Sequence, residues 1–359
     1  MILNETYSKE WIESFRDQKK YERIDPALLE KMIHALALAE KLALQEFEFL
    51  FKGGTCLNLL LPEPARFSVD IDITTPSEKD ELYGILDKVI NESHFISWTI
   101  DERENKTDIP KEHYIFEFES VFNRASNIIL LDVIFDEIPH LKTINVPLHS
   151  PWLKTEESIQ SVRVPTIEAL LGDKLSAFAP NTIGVPYGVN KELEIIKQLY
   201  DINCLLDQST DLETIKKTYN AIAGQQFNYL KLRITIDSVL QDTIDTALIL
   251  AKRDKNKGGD LKRYQELLRG INKFNNFLVS GNFRIEQAQV ASARAAFLAG
   301  KLQANDNSQM VVFEAGTDLS NLEIQNREFN FLNRFKKTNQ AAFFYWYQYL
   351  SQKGLLEEF

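Results

Sequence analysis

The sequence is poor in cysteine and histidine, which leaves most metal-centred and thiol chemistry without a motif. Cys56 and Cys204 lie far apart with no CxxC spacing, so neither a disulfide framework nor a structural zinc site is available, and both read as small buried hydrophobes. The histidines, at 34, 94, 113, 140 and 149, form no HxH or HExxH pair, which argues against histidine metal sites and triads. No apolar run approaches the ~18 residues of a membrane span. The opening stretch MILNETYSKEWIESFRDQKKYERID mixes acids and bases where a secretory signal needs a continuous apolar core. A cytoplasmic protein with no membrane role is expected. Long Pro, Gly or Ser tracts are also missing, so nothing marks a disordered linker. Basic residues are in deficit, with a net charge of -11. That repels phosphate backbones at long range and excludes indiscriminate nucleic-acid binding, though not a local basic groove. The stretches KRDKNKGGDLKR (residues 252–263) and NRFKK (333–337) are candidates for such a groove; for the first, a solvated interhelical loop is the plainer reading.

What is present suffices for two cores or one extended core, since 359 residues carry 44% hydrophobic side chains. Residues 7–47 read as helices: DPALLEKMIHALALAEKLALQEF has helical apolar spacing, with Asp25 and Pro26 placed as N-cap and first-turn residue. FEFLF reads as a short buried strand, and TCLNLLL as a helix stopped by Pro62 and Pro64. FSVDIDI, FISWTID, YIFEFES and NIILLDVIF read as strands, and EKDELYGILDKVINES as an amphipathic helix. After Pro165 helical periodicity takes over, beginning with TIEALLGDKLSAFA and KELEIIKQLYDINCLL. The expected fold is α+β, with a mixed α/β sheet part over 1–160 and a mostly helical part over 161–359. The aromatic helix AAFFYWYQYL (341–350) carries rings on every side, so the larger share must be core rather than a surface for stacking bases.

The chemistry concentrates in FLFKGGTCLNLLLPEPARFSVDIDITT (49–75). In a strand alternate side chains share a face, so Arg66, Ser68, Asp70, Asp72 and Thr74 project one way while Phe67, Val69, Ile71 and Ile73 project the other. Two carboxylates at i and i+2 repel each other unless a cation lies between them. Hard divalent ions such as Mg²⁺ suit that arrangement and combine carboxylates with substrate phosphates. A solvent-facing acidic strand is the plainer reading. Gly53, Gly54 and Thr55 fall between a strand and a helix start. Free backbone N–H groups there favour an anion, and glycine admits a phosphate close to the main chain. The stretch is no Walker A loop, because no GKS or GKT follows. A third acid, Asp132, interrupts the otherwise apolar NIILLDVIF. An ionised carboxylate is costly there unless it meets a cation or hydrogen-bond donors, so Asp132 points to a site.

A GG[ST] turn, a helix, a strand with DxD and a later single Asp together resemble the DNA polymerase β-type nucleotidyltransferase superfamily. Within it, FKGGTCLNLLL, RFSVDIDI and EIIKQLYDI resemble the AbiEii branch of toxin–antitoxin and abortive-infection toxins, which includes MenT-type toxins, over roughly residues 45–206. The resemblance implies a nucleotidyltransferase-fold sheet that uses Mg²⁺ (or Mn²⁺) and a nucleoside triphosphate as substrate. It implies that Gly53, Gly54 and Thr55 hold phosphates and that Asp70 and Asp72 bind metal. Asp132 would complete the metal site or accept the proton of the attacking hydroxyl. Arg66 and Ser68 would bond phosphates, orient the acids or serve structure alone. By the same resemblance GDKLSAF offers Lys174 for the triphosphate, with Lys191 and Lys197 as rivals, and KQLYDI offers Asp201 as a catalytic acid. Lys197 and Asp201, four residues apart, also read as a plain helix-surface ion pair. The segment APNTIGVPYGVN (179–190) reads as an insertion or a substrate loop. The 3′ end of tRNA is the implied acceptor, and a cognate antitoxin with a DNA-binding winged helix the implied partner. The alternatives are transfer to a protein hydroxyl, and a non-catalytic protein that binds a triphosphate and signals to a partner.

Overall fold

The computed structural model describes residues 1–102, 108–123, 126–253 and 260–357. The chain divides into two compact units, Met1–Thr166 with Phe277–Gly281, and Ile167–Asn276 with Asn282–Phe359.

The first unit opens with helices α1 (Lys9–Ser14) and α2 (Pro26–Leu44). The Asp25 carboxylate accepts from the Ala27 N–H at 2.9 Å, and Pro26 supplies a helical φ at no hydrogen-bonding cost. Then follow β1 (Leu50–Lys52), α3 (Gly53–Leu60), β2 (Ile71–Thr75), α4 (Lys79–Asn91), β3 (Phe95–Ile100), β4 (Lys111–Phe118) and β5 (Asn127–Phe135). Among the described residues these strands form one mixed sheet in the order β1-β2-β5-β4-β3, with β2 and β5 parallel and the other neighbours antiparallel. Alternation along each strand sends Ile71, Ile73, Tyr114, Phe116, Leu131 and Val133 into the core, and α2 and α4 pack on the sheet. The opposite face carries the half-buried Asp72, Lys111, His113 and Asp132.

Two differences from the sequence reading bear on the site. Ladder pairing of the acid strand begins at Ile71, not Phe67. Residues 65–67 pair instead with 277–279: the Phe67 N–H donates to Phe277 O at 2.7 Å, and the Val279 N–H to Ala65 O at 3.3 Å. The second difference is a separate antiparallel ladder of β6 (Thr143–Pro147) and β7 (Ser161–Pro165), whose short TINVP and SVRVP alternations passed unread.

The second unit comprises α5 (Ile167–Ala177), α6 (Glu192–Leu206), α7 (Leu212–Leu230), α8 (Ile236–Lys252), α9 (Leu261–Phe274), α10 (Ile285–Gln303), α11 (Phe335–Thr338) and α12 (Gln340–Gln352). The alanine-rich α10 packs against α8, α12 and α6, its small side chains permitting close approach. In α12, Phe343, Phe344, Tyr345, Trp346 and Tyr349 are buried, so the aromatic helix is core. The 179–190 segment is fastened within this unit: Asp242 on α8 accepts from the Asn181 N–H and from the Thr182 hydroxyl, at 2.7 and 2.9 Å, and Glu266 on α9 accepts from the Gly188 N–H at 2.7 Å. Of the basic stretch 252–263, residues 254–259 lie outside the described residues. In the stretch 333–337, Arg334 donates to the Ala251 carbonyl and Phe335 is buried.

Candidate functional site

The strand-to-helix corner after β1 is built by its glycines. Gly53 has φ +79°, a left-handed conformation that side chains with a Cβ resist. A Cβ there would fall 2.8 Å from Asp72 Cγ and closer still to Oδ2, so the Asp72 carboxylate rests directly on the Gly53 main chain. A Cβ at Gly54 would crowd the Arg66 guanidinium and fall 2.7 Å from Ser68 Oγ. The Thr55 hydroxyl donates to the backbone carbonyl of Asp70 at 2.5 Å. Arg66 is buried and its Nη1 donates to Phe67 O at 3.1 Å. The fold thus gathers Gly53, Gly54, Thr55, Arg66, Ser68, Asp70 and Asp72 at the N-terminus of α3.

Register extends this cluster across the sheet. Lys52 is the Cα partner of Asp72, Asp72 of Asp132, and Asp132 of His113. Directly paired residues share a face, so Lys52, Asp72, Asp132 and His113 form one row over four strands. Asp132 has both carboxylate oxygens engaged: Lys111 Nζ lies 2.6 Å from Oδ2, and His113 Nδ1 lies 2.5 Å from Oδ1. Burial opposes the charge on Asp132, but the Lys111 ammonium and the hydrogen bonds from Lys111 and His113 outweigh it and hold the carboxyl below its ordinary range. The cost expected of an acid in an apolar strand is met here by two donors from β4. Lys111 and His113 escaped sequence reasoning because the β4 reading began at Tyr114. Extending its period of two back through KEHY places both on one face, but only the register brings them to Asp132.

Lys174 on α5 and Asp201 on α6 meet within the second unit, with Nζ 3.2 Å from Oδ2 and side chains 7% and 0% exposed. Lys191 is exposed at the start of α6, and Lys197 is half-buried along it. An ion pair this enclosed is held against a desolvation cost that a surface pair does not meet.

Among the described residues no cluster of three or more His, Cys, Asp or Glu is arranged as a metal cage. The donor set nevertheless fits a hard divalent ion. Mg²⁺ is usually held by one or two carboxylates together with substrate phosphates. Asp72 supplies such a carboxylate beside a glycine corner into which a Cβ would not fit, and Asp70 lies two residues before it with its backbone carbonyl held by Thr55. Among the described residues no helix is long and apolar enough to cross a membrane.

The chain is similar to JHP933 of Helicobacter pylori, at 17% identity and a TM-score of 0.45, covering 79% of this chain and 96% of that one. It is also similar to an antigenic nucleotidyltransferase-like protein of Paracoccidioides brasiliensis, at 13% identity and a TM-score of 0.37, covering 55% of this chain and 87% of that one. Among curated proteins none matches. The family model described as the nucleotidyl transferase AbiEii toxin of type IV toxin–antitoxin systems matches residues 36–278. With more than half of its length matched, the chain belongs to the AbiEii family of nucleotidyltransferase toxins.

Proposed function

We propose that this toxin transfers a nucleoside monophosphate from a nucleoside triphosphate to the 3′ end of tRNA, with a divalent ion held by Asp70 and Asp72. The observation that supports this reading is the seat of the Asp72 carboxylate on Gly53, an acid of the kind Mg²⁺ takes beside a helix N-terminus of the kind that suits phosphate. The tRNA acceptor is carried over from the resemblance of FKGGTCLNLLL, RFSVDIDI and EIIKQLYDI to the branch.

In this reading Gly53, Gly54 and Thr55 hold the phosphates at the positive end of α3, and Arg66 and Ser68 brace the same corner. A metal ion bound at Asp70 and Asp72 would neutralise charge developing on the phosphates. Asp132 takes the second of its two implied roles, as proton acceptor. Its oxygens offer about four lone-pair sites, and two remain beyond the bonds to Lys111 and His113. The attacking hydroxyl gives its proton to Asp132 as its oxygen bonds the α-phosphorus. The bond from α-phosphorus to the bridging oxygen breaks, and pyrophosphate leaves with the electron pair. Lys174 stabilises the triphosphate, Asp201 holds Lys174 in place, and the helical part over 161–359 completes the nucleotide site and selects the acceptor. The antitoxin is a separate protein with a DNA-binding winged helix, and the substrates place the reaction in the cytoplasm.

The test incubates the purified chain with Mg²⁺, total tRNA and each α-labelled nucleoside triphosphate in turn, beside Asp70→Ala. Label on tRNA with wild type alone supports the reading and identifies the nucleotide. Label on a protein after addition of cell extract moves the acceptor to a protein hydroxyl. Nucleotide affinity without label or pyrophosphate release would favour a binding protein that signals without turnover.

A further inference from the structure

The motifs of the acid strand do not include β4, yet β4 supplies both partners of Asp132. Neutralising a carboxylate in an apolar strand needs one cation, and Lys111 at 2.6 Å from Oδ2 provides it. The second donor, His113 Nδ1, goes to the other oxygen at 2.5 Å. Two donors on separate oxygens fix the rotation of the carboxylate plane as well as its charge. The three side chains are 26%, 18% and 21% exposed for Lys111, His113 and Asp132, so little space is left for other rotamers. Both donors sit on one interior strand, alternate along it, and are held by a continuous ladder to β5. A rigid strand positions a side chain more closely than a loop does. The lone pairs that remain on Asp132 are therefore held in fixed directions, on the face it shares with its neighbour Asp72.

We infer that His113 and Lys111 are positioning residues for nucleotidyl transfer, clamping the two oxygens of Asp132 so that a remaining lone pair meets the attacking hydroxyl. The inference rests on the proposed role of Asp132 and does not depend on the acceptor. His113 acts as an Nδ1–H donor here. An asparagine amide reproduces a donor near the Nδ1 position, whereas glutamine places its amide nearer to Nε2.

The experiment measures kcat, and KM for the labelled triphosphate, with the full chain and whichever acceptor wild type labels. The variants are His113→Ala, His113→Asn, His113→Gln, Lys111→Met, Asp132→Asn and the double variant His113→Ala/Asp132→Asn. Misplacing a reacting group by about 1 Å costs on the order of 10²-fold. That loss is expected in kcat for His113→Ala and Lys111→Met, with KM nearly unchanged. His113→Asn should recover most of the lost rate and His113→Gln should not. Adding His113→Ala to Asp132→Asn should cost nothing more, because both act through one group. Thermal melting and calorimetric nucleotide binding verify folding, and the contrast between Asn and Gln remains informative even if the alanine variant fails to fold. Wild-type kcat in the His113 and Lys111 variants beside an impaired Asp132→Asn overturns the clamp while sparing the role of Asp132. An effect on KM alone, or equal activity of the Asn and Gln variants, also overturns it. Wild-type kcat in Asp132→Asn overturns the proton-acceptor reading instead, and the clamp with it.

Discussion

Replacing Gly53 with alanine perturbs the site through the backbone without removing any functional group. The residue sits at φ +79°, where an L-residue pays roughly 1–2 kcal/mol. The added methyl also meets Asp72, whose Cγ would lie 2.8 Å away and Oδ2 nearer. Ordinary contact lies beyond 3.4 Å, so the carboxylate must move by about an ångström or the corner must open. Strain of ~1–2 kcal/mol lowers the melting temperature of a chain or unit of this size by a few degrees, at about 2–4 °C per kcal/mol. On the proposed reading the displaced carboxylate loses its geometry toward metal and phosphate, and an error of about 1 Å costs on the order of 10²-fold in rate. Gly53→Ala should therefore remain folded, melt a few degrees lower and transfer label about a hundredfold more slowly. Gly54→Ala is the comparison: its φ is not in the left-handed region, and its methyl meets the ends of the Arg66 and Ser68 side chains. It should be affected less. The assay is transfer of α-labelled nucleotide at saturating Mg²⁺, beside a thermal melt. A Gly53→Ala enzyme with wild-type kcat would show that the seat of Asp72 on the glycine corner has no part in the chemistry.

Other perturbations separate chemistry from stability. Asp70→Ala and Asp72→Ala should each abolish label transfer and toxicity on induction while leaving the melting temperature near that of wild type; a toxic variant at normal expression would remove metal-dependent transfer from consideration. Lys174→Ala leaves Asp201 buried without its ammonium and should cost about 3–5 kcal/mol, read from denaturant unfolding, together with activity. The paired change Lys174→Met/Asp201→Leu should restore much of that stability and none of the activity; recovered activity would reduce the pair to a structural one. His34 is buried, stacked on Phe118 with ring centroids 3.8 Å apart, and burial pushes its imidazole down to about 4. It stays neutral in the folded state while the unfolded chain protonates below about 6.5. Its contribution is therefore full above pH 6.5 and is lost as pH falls toward 4, by roughly 1.4 kcal/mol per unit. His34→Gln should flatten the stability profile in that window, and an unchanged slope would place the acid sensitivity elsewhere.

Local signals carried much of the fold. The apolar run NIILLDVIF matches β5 residue for residue, because an apolar strand flanked by polar residues has one plausible frame. The Asp25-Pro26 start of α2 was equally legible, since a cap is a contact between near neighbours. Glycine next to glycine pointed to a close approach, but only the folded chain identifies the approaching group as Asp72. What stayed hidden depends on pairing between distant segments. Residues 65–67 look like the beginning of the acid strand by alternation. Their partners are residues 277–279, some two hundred positions away, and no local pattern encodes that choice. The pairing of Asp132 with Lys111 and His113 was hidden for the same reason: each residue was visible, but the register was not.

Charge sets the last constraint on how such a site works. A chain of net charge -11 must bind a triphosphate that is itself strongly anionic, so an uncompensated acid near the phosphates would oppose binding at short range, where salt screens least. Asp132 is compensated by Lys111 and His113 within the sheet, and Asp201 by Lys174 within the helical unit. Those cations belong to the protein and are present before substrate arrives. On the proposed reading, a divalent ion that the triphosphate also ligates adds to whatever offsets the charge of Asp70 and Asp72 within the protein. The same acids then favour or oppose the nucleotide according to whether it comes with its metal. On that reading a metal held at Asp70 and Asp72 favours the metal complex of the triphosphate over the free form, while Asp132, clamped by Lys111 and His113, is left out of the competition.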